Sequence, residues 1–293
     1  MASTTTASTT SGDYLAQPSG PCCLKGTLHE GTPRGRYETL AGLQTYITEP
    51  TGDGVKPNGN VILYFPDVWG FFNNGLLVMD AFADAGYLVL GVDYFRGDPV
   101  TKYRKDRHDT TTSPGFDFDA WKDKHAAFAV DAVPRWVDAV VEKYGGGSGS
   151  DNNNSTTNTA TLAGVTHTGL KPKFACTGYC FGAPYVCDEL ARGICSVGAF
   201  GHPAFLKEEH FRKITKPLFL SCAEIDHTFS AEARRRAIDI LQEEKKVYHH
   251  QLFSGVEHGF ALRGDPKDPY QRWVKEQSLS AIVQWFDFWL AQK

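Results

Sequence analysis

Along most of this chain, unbroken apolar blocks of strand length alternate with segments of helical periodicity, and that alternation restricts the fold more than any other feature. Val61–Phe65 and residues 87–92 are continuous apolar runs, the pattern of strands covered on both faces. Leu43–Thr48 alternates apolar and polar side chains after a turn at Gly42 and reads as a half-exposed strand. A helical pattern over 74–85 stops at Gly86. A longer one over 119–144 carries Pro134, which it tolerates or kinks at, and stops at Gly145. Next come a strand at 174–177, a helix from Ala183, a strand at 218–222, a helix at 231–244 and a strand at 247–253. A last helix over 270–290 repeats Leu279, Ile282, Phe286 and Trp289 on one face. Such alternation predicts an α/β protein with a mostly parallel central sheet flanked by helices. Ligands of these folds bind at the carboxyl ends of the strands.

The chain has 293 residues, with 30 Lys+Arg against 34 Asp+Glu, a net charge of −4. That balance is too mild for nucleic-acid binding and offers no polybasic patch to a membrane. Residues 1–12 lack both the positive charge and the apolar stretch of a secretory signal, so the seven cysteines are expected as reduced thiols in a cytoplasmic protein. Residues 1–20, rich in Ser, Thr and Gly, are expected as a flexible tail. Residues 21–293 are then expected as a single domain, with a low-complexity insertion at about 145–168. No internal repeat is visible.

Gly178-Tyr-Cys-Phe-Gly182 stands between an apolar strand and a helix. A strand-to-helix turn this sharp strains its central residue, and glycines at both flanks let the two elements pass closely. The turn lifts the Cys180 sulfur above the sheet at a helix N-terminus, where the local field is expected to favour the thiolate. It also aims the Phe181 N–H at a developing oxyanion. Pro184 falls in the first helical turn, where it is tolerated. The competing reading is a buried cysteine between two packing glycines. Cys176, Cys187 and Cys222 read as core, and all six cysteines other than Cys180 as packing or tail residues. The Cys176–Cys180 spacing is not a zinc pattern, so no metal is expected.

After such an elbow the chain order to expect is nucleophile, acid, histidine. The strand at 218–222 leads into Ala223-Glu-Ile-Asp-His227, placing Asp226 just beyond its end, with Glu224 as a rival. A carboxylate there can hold a histidine Nδ1–H and favour the imidazolium. The strand at 247–253 leads to Ser254-Gly-Val-Glu-His-Gly-Phe260, so His258 occupies a glycine-flanked loop in the place of the base. His249 and His250 read as structural. No HExxH, P-loop or GxGxxG motif supports a metal, phosphate or dinucleotide site, and no cofactor is expected.

Cys180, Asp226 and His258, in this order on this strand–helix grammar, resemble the dienelactone hydrolase family of the α/β-hydrolase fold. The resemblance spans roughly residues 30–293 without the insertion. It is similar to the fungal-type members in His29-Glu-Gly-Thr-Pro-Arg-Gly35 and Gly255-Val-Glu-His-Gly-Phe260. It implies hydrolysis of dienelactone-like lactones or small esters by a Cys-His-Asp triad. It also implies that Asp67, where bacterial members carry glutamate, helps generate the thiolate, and that the Val68 N–H is a second oxyanion donor. Arg96 and Arg263 would hold a substrate carboxylate bidentately.

The sequence thus reads as a hydrolase of small, carboxylate-bearing lactones or esters acting through a thioester. Its partner would be that small molecule, with no nucleic acid or membrane, in a monomer or homodimer. Two rival readings are a general carboxylesterase or thioesterase and a non-catalytic binding or redox-sensing protein on the same scaffold.

Overall fold

A computed structural model describes residues 14–104, 110–146, 159–162, 165–168 and 171–292. Eight strands form the central sheet: β1 Arg36–Leu40, β2 Leu43–Thr48, β3 Val61–Phe65, β4 Leu88–Val92, β5 Phe174–Tyr179, β6 Val197–Gly201, β7 Leu218–Ile225 and β8 Tyr248–Glu257. Their order across the sheet is β1-β2-β4-β3-β5-β6-β7-β8. From β4 to β8 every pairing is parallel, while β1 and β2 run antiparallel at one edge. Every residue of β3, β4, β5 and β6 is buried, which is why their sequences are apolar without alternation.

Among the described residues seven helices accompany the sheet: α1 Asn73–Asp84, α2 Phe118–Tyr144, α3 Ala183–Arg192, α4 Glu208–Lys213, α5 Ala231–Glu243, α6 Phe260–Arg263 and α7 Pro269–Ala291. On one face α1 and α7 meet through the stacked rings of Phe82 and Phe286. On the other, Phe65 of β3 packs against Trp136 of α2 and Tyr185 of α3. The α2 helix is capped by Asp117, whose side chain accepts from Ala120 N–H, and continues through Pro134. Among the described residues no helix is long and apolar enough to cross a membrane.

The expected alternation holds, with informative differences. The strand β6, Val-Gly-Ala-Phe-Gly, carries two glycines and gives no sequence signal. A Cβ on Gly198 would lie 2.8 Å from Val186 and 2.9 Å from Leu190, so glycine there lets α3 approach the sheet. The strand β1 is a polar edge strand, silent for the opposite reason. Residues 14–20, expected as part of a flexible tail, are instead packed. Tyr14–Ala16 pairs antiparallel with Leu206–Lys207, and Gln17 exchanges backbone hydrogen bonds with Thr228 and Phe205. Residues 1–13 lie outside the described residues. So does most of the glycine- and asparagine-rich stretch after residue 146; its end forms an antiparallel pair, Thr159–Leu162 with Val165–Thr168.

The elbow needs its glycines for space. A Cβ on Gly182 would sit 2.1 Å from the Phe65 carbonyl oxygen, and one on Gly178 2.4 Å from the Gly182 oxygen. Both clashes are with backbone, which cannot swing aside as a side chain does. Gly182→Ala is therefore expected to cost about 1–3 kcal/mol or more, read as a lower urea midpoint at unchanged m-value.

Candidate active site

Three strands end one residue short of the groups singled out in the sequence. The strand β5 stops at Tyr179 and Cys180 follows; β7 stops at Ile225 and Asp226 follows; β8 stops at Glu257 and His258 follows. All three strands are parallel, so these residues emerge at the same edge of the sheet. Cys180 has φ 51°, a left-handed conformation that a non-glycine residue adopts only under local constraint. The elbow is therefore present in the form its glycines imply.

Asp226 and His258 form a tight buried pair. His258 Nδ1 lies 2.9 and 3.0 Å from the two carboxylate oxygens. Thr228, which the sequence reading passed over, completes the arrangement. Its N–H donates to Asp226 Oδ1 at 2.9 Å, and Phe229 N–H does so at 3.2 Å. The Thr228 hydroxyl lies 2.7 Å from the same oxygen, 2.8 Å from the Pro203 carbonyl and 3.0 Å from His258 Nδ1. It has one proton to donate, so it bonds to one of the two oxygens at a time while accepting from the imidazole. Burial tends to raise the carboxyl of Asp226, but His258, Thr228 and the Phe229 N–H outweigh it and hold the pKa below the ordinary range. On His258 burial acts downward, yet Asp226 and Cys23 push it up to about 10. The pair is built to stabilise an imidazolium.

Cys180 is fully buried. Ser19 and Cys23 lie against it: Ser19 Oγ is 3.3 Å and Cys23 Sγ 3.6 Å from its sulfur. Cys23 Sγ is in turn 3.5 Å from His258 Nε2. Read in the sequence as a packing or tail residue, Cys23 is instead a member of the cluster, standing between thiol and imidazole. Its distance along the chain, 157 residues from Cys180, left no signal to find it by. The expected low thiol pKa is also corrected. Burial first, and then Cys23, push Cys180 well above the ordinary value, with Arg263 acting against them. His202, which follows β6, is a further residue missed. It is fully buried, its ring meets that of His258 edge-on at 4.9 Å, and neither of its nitrogens has a hydrogen-bond partner among the described residues.

The charged residues implied by resemblance are placed differently from expectation. The side-chain contacts of Asp67 are with Trp69 and Arg263. Its Oδ2 forms an ion pair with Arg263 Nη1 at 2.9 Å and its Oδ1 accepts the Trp69 N–H at 2.9 Å. Arg263 also donates to the Cys23 carbonyl at 2.7 Å, with its guanidinium over the Trp69 ring. Both side chains are buried to within 1 %, with Asp67 as the counter-ion of Arg263. Arg96 is not brought to the cluster at all. It is exposed, with its guanidinium 4.0 Å over the ring of Phe128. Val68 and Phe181 are buried beside Asp67 and Cys180. A cavity of about 370 Å³ is lined by His258 and Arg263 and also by Lys25, Gly26 and Thr27, which follow Cys23 in the chain.

Sheet order, elbow and strand-end residues together define an α/β-hydrolase. Solved structures agree in fold: a dienelactone hydrolase-like promiscuous phosphotriesterase from metagenomic libraries superposes with a TM-score of 0.57 at 15% identity, covering 88% of this chain and 98% of that one. TT1662 from Thermus thermophilus gives 0.58 at 13% identity, covering 89% and 100%. The sequence pattern of the dienelactone hydrolase family matches residues 43–290, and the chain belongs to that family. Dienlactone hydrolase 1 of Gibberella moniliformis is 41% identical, over 95% of this chain and 97% of the relative. Dienlactone hydrolase 2 of the same organism is 40% identical, over 96% and 99%. The protein is thus an enzyme of the dienelactone hydrolase type, and the non-catalytic reading falls away.

The Arg263–Asp67 pair gives a test of counter-ion against substrate clamp. Arg263→Met leaves a buried carboxylate unpaired and is expected to cost about 3–5 kcal/mol in urea unfolding. Adding Asp67→Asn should return a measurable part of that loss. A substrate clamp would instead leave stability unchanged and raise KM for acidic substrates alone.

Proposed function

We propose that the protein hydrolyses small lactones or esters through a covalent thioester on Cys180, with His258 and Asp226 as base and acid partner. The observation that carries this reading is the strained Cys180 at the end of β5 with the hydrogen-bonded His258–Asp226 pair beside it. Cys180 gives its proton to His258, and the sulfur attacks the carbonyl carbon. Asp226 and Thr228 hold Nδ1, so Nε2 is the nitrogen that takes the proton. The oxyanion is received by the N–H groups of Val68 and Phe181, each such donor worth about 10²–10³ in rate. His258 returns the proton to the departing alkoxide or enolate. It then takes one from water, which attacks the thioester and frees the acid and the thiol.

Because the sulfur is fully covered, residues 19–24 have to shift before a carbonyl can reach it. The same shift withdraws Cys23 from between thiol and imidazole and opens the way from the cavity beside His258. With the covering segment in place, Cys23 raises the pKa of both Cys180 and His258; withdrawing it lowers both, which lets His258 present a neutral Nε2 to take the thiol proton. Buried thiols without disulfides among the described cysteines favour a reducing compartment, which we take to be the cytoplasm.

A preference for carboxylate-bearing substrates would need another cation, since Arg263 is engaged by Asp67 and Arg96 lies on the surface. The reading is therefore of a lactone or ester hydrolase without an arginine clamp. Kinetics on a panel pairing an acidic lactone with neutral p-nitrophenyl esters test it. Cys180→Ala should lose hydrolysis of every member by about 10⁴-fold or more, and His258→Ala should lower kcat about 10²–10⁴-fold. Arg96→Ala should stay within about twofold on both substrate classes, the range of an ordinary surface change. Undiminished turnover in Cys180→Ala would remove the nucleophile assignment, and a selective loss on the acidic lactone in Arg96→Ala would restore the clamp.

Thr228→Val keeps the side-chain volume and removes the hydroxyl. It is expected to lower kcat about tenfold with little change in KM, because it loosens the orientation of His258 without touching substrate.

A further inference from the structure

The cluster of Cys23, Cys180 and His258 has a geometry that acyl transfer does not require. We propose that it is a binding site for one soft divalent cation, zinc by preference, held by Cys23 Sγ, Cys180 Sγ and His258 Nε2, and that the ion closes the site by tying residues 19–24 to the elbow.

The distances carry this assignment. With Zn–S near 2.3 Å and Zn–N near 2.0–2.1 Å, a tetrahedral ion sets its ligand atoms about 3.7–3.8 Å apart for two sulfurs and about 3.5 Å apart for sulfur and nitrogen. The protein holds Cys23 Sγ 3.6 Å from Cys180 Sγ and 3.5 Å from His258 Nε2. All three donor atoms lie within 4.8 Å of one another. Two edges of a zinc tetrahedron are therefore already formed by the polypeptide.

The surroundings fit as well. A metal-ligating histidine almost always gives its other ring N–H to a carboxylate or carbonyl, which fixes the tautomer and aims the lone pair. Here His258 Nδ1 is held by Asp226 at 2.9 Å, leaving Nε2 toward the thiols. Two thiolates and an imidazole are a soft donor set that prefers zinc over magnesium or calcium. The charge also balances. One divalent ion replaces the two thiol protons, which pass to solvent together with any proton on Nε2, so the buried site gains no net charge from the exchange with the thiols. His202, buried against His258 with neither ring nitrogen partnered among the described residues, marks this corner as richer in donors than the polypeptide itself satisfies.

No spacing motif announces such a site, because the ligands come from the covering segment, the elbow and the loop after β8, with 235 residues separating Cys23 from His258. Their chain separation is also why a bound ion would act as a staple. Cys23 could not leave the other two ligands without breaking a metal–sulfur bond, and the covered sulfur of Cys180 would be both ligated and inaccessible. Ligation rests on the donor geometry alone; the closing of the site to substrate rests on Cys180 being the nucleophile.

Titration of the full-length reduced protein with Co²⁺, followed by the thiolate-to-cobalt charge-transfer absorption and then displacement by Zn²⁺, tests the site without any substrate. One equivalent is expected to saturate the band. Cys23→Ser and Cys180→Ser should each abolish it, Asp226→Asn should weaken binding by about 10–100-fold, and Cys187→Ser should keep it. X-ray absorption on the zinc-loaded wild type gives a second measurement that no folding defect in a variant can obscure. It should report two sulfurs near 2.3 Å and a nitrogen near 2.0 Å. Absence of a saturable band in the reduced wild type, an unchanged band in Cys23→Ser, or an all-oxygen zinc shell would each overturn the proposal. A zinc site in a protein whose metal-free form shows no hydrolysis would strike the hydrolase reading alone.

Discussion

Everything at this site depends on a backbone turn with no room in it. Between β5 and α3 the chain reverses in three residues, Cys180 takes φ 51°, and Gly182 passes so close to the Phe65 carbonyl that no side chain fits. The turn is affordable only because β3, β5 and β6 are buried on both faces and fix its two ends. From that constraint follow the height of the sulfur above the sheet, the position of the Phe181 N–H and the direction of α3.

Two buried charge pairs then divide the work by environment. Asp226 is surrounded by donors from Thr228, Phe229 and His258, and its ionised form is favoured despite burial. Asp67, equally buried, has Arg263 and the Trp69 N–H, and its pKa remains raised. The first pair raises the basicity of an imidazole. The second anchors the covering segment, since Arg263 also holds the Cys23 carbonyl. Cys23 and Ser19 are positioned over the Cys180 sulfur by these contacts and by the Tyr14–Ala16 pairing. The closed state of the site is thus a packed structure with its own hydrogen bonds.

Legibility in the sequence varied with how local each signal is. Strands buried on both faces, the glycine-flanked cysteine and helix stops at Gly86 and Gly145 are short-range patterns and could be read directly. The strand β6 could not, because its glycines serve the close approach of α3, a tertiary reason. The strands β5, β7 and β8 run two to four residues beyond their apolar runs, so Cys180, Asp226 and His258 each follow their strand directly, Asp226 and His258 in the expected loops. The arginines show the limit of transferring a role by position. The side chain of Arg263 is captured by Asp67, and Arg96 at φ 57° turns out to Phe128.

By itself the sequence determined the layered α/β architecture, the elbow and the order Cys180, Asp226, His258, because periodicity and glycine sterics act within a few residues. The tertiary structure alone decided which side chains meet. It brought Cys23 and Ser19 onto Cys180, set Thr228 against His258, left both ring nitrogens of His202 without a hydrogen-bond partner among the described residues, and paired Arg263 with Asp67. These are contacts between groups up to 235 residues apart. Burial and a neighbour's charge, which no local pattern encodes, determine whether each of them is a thiol, a counter-ion or a base.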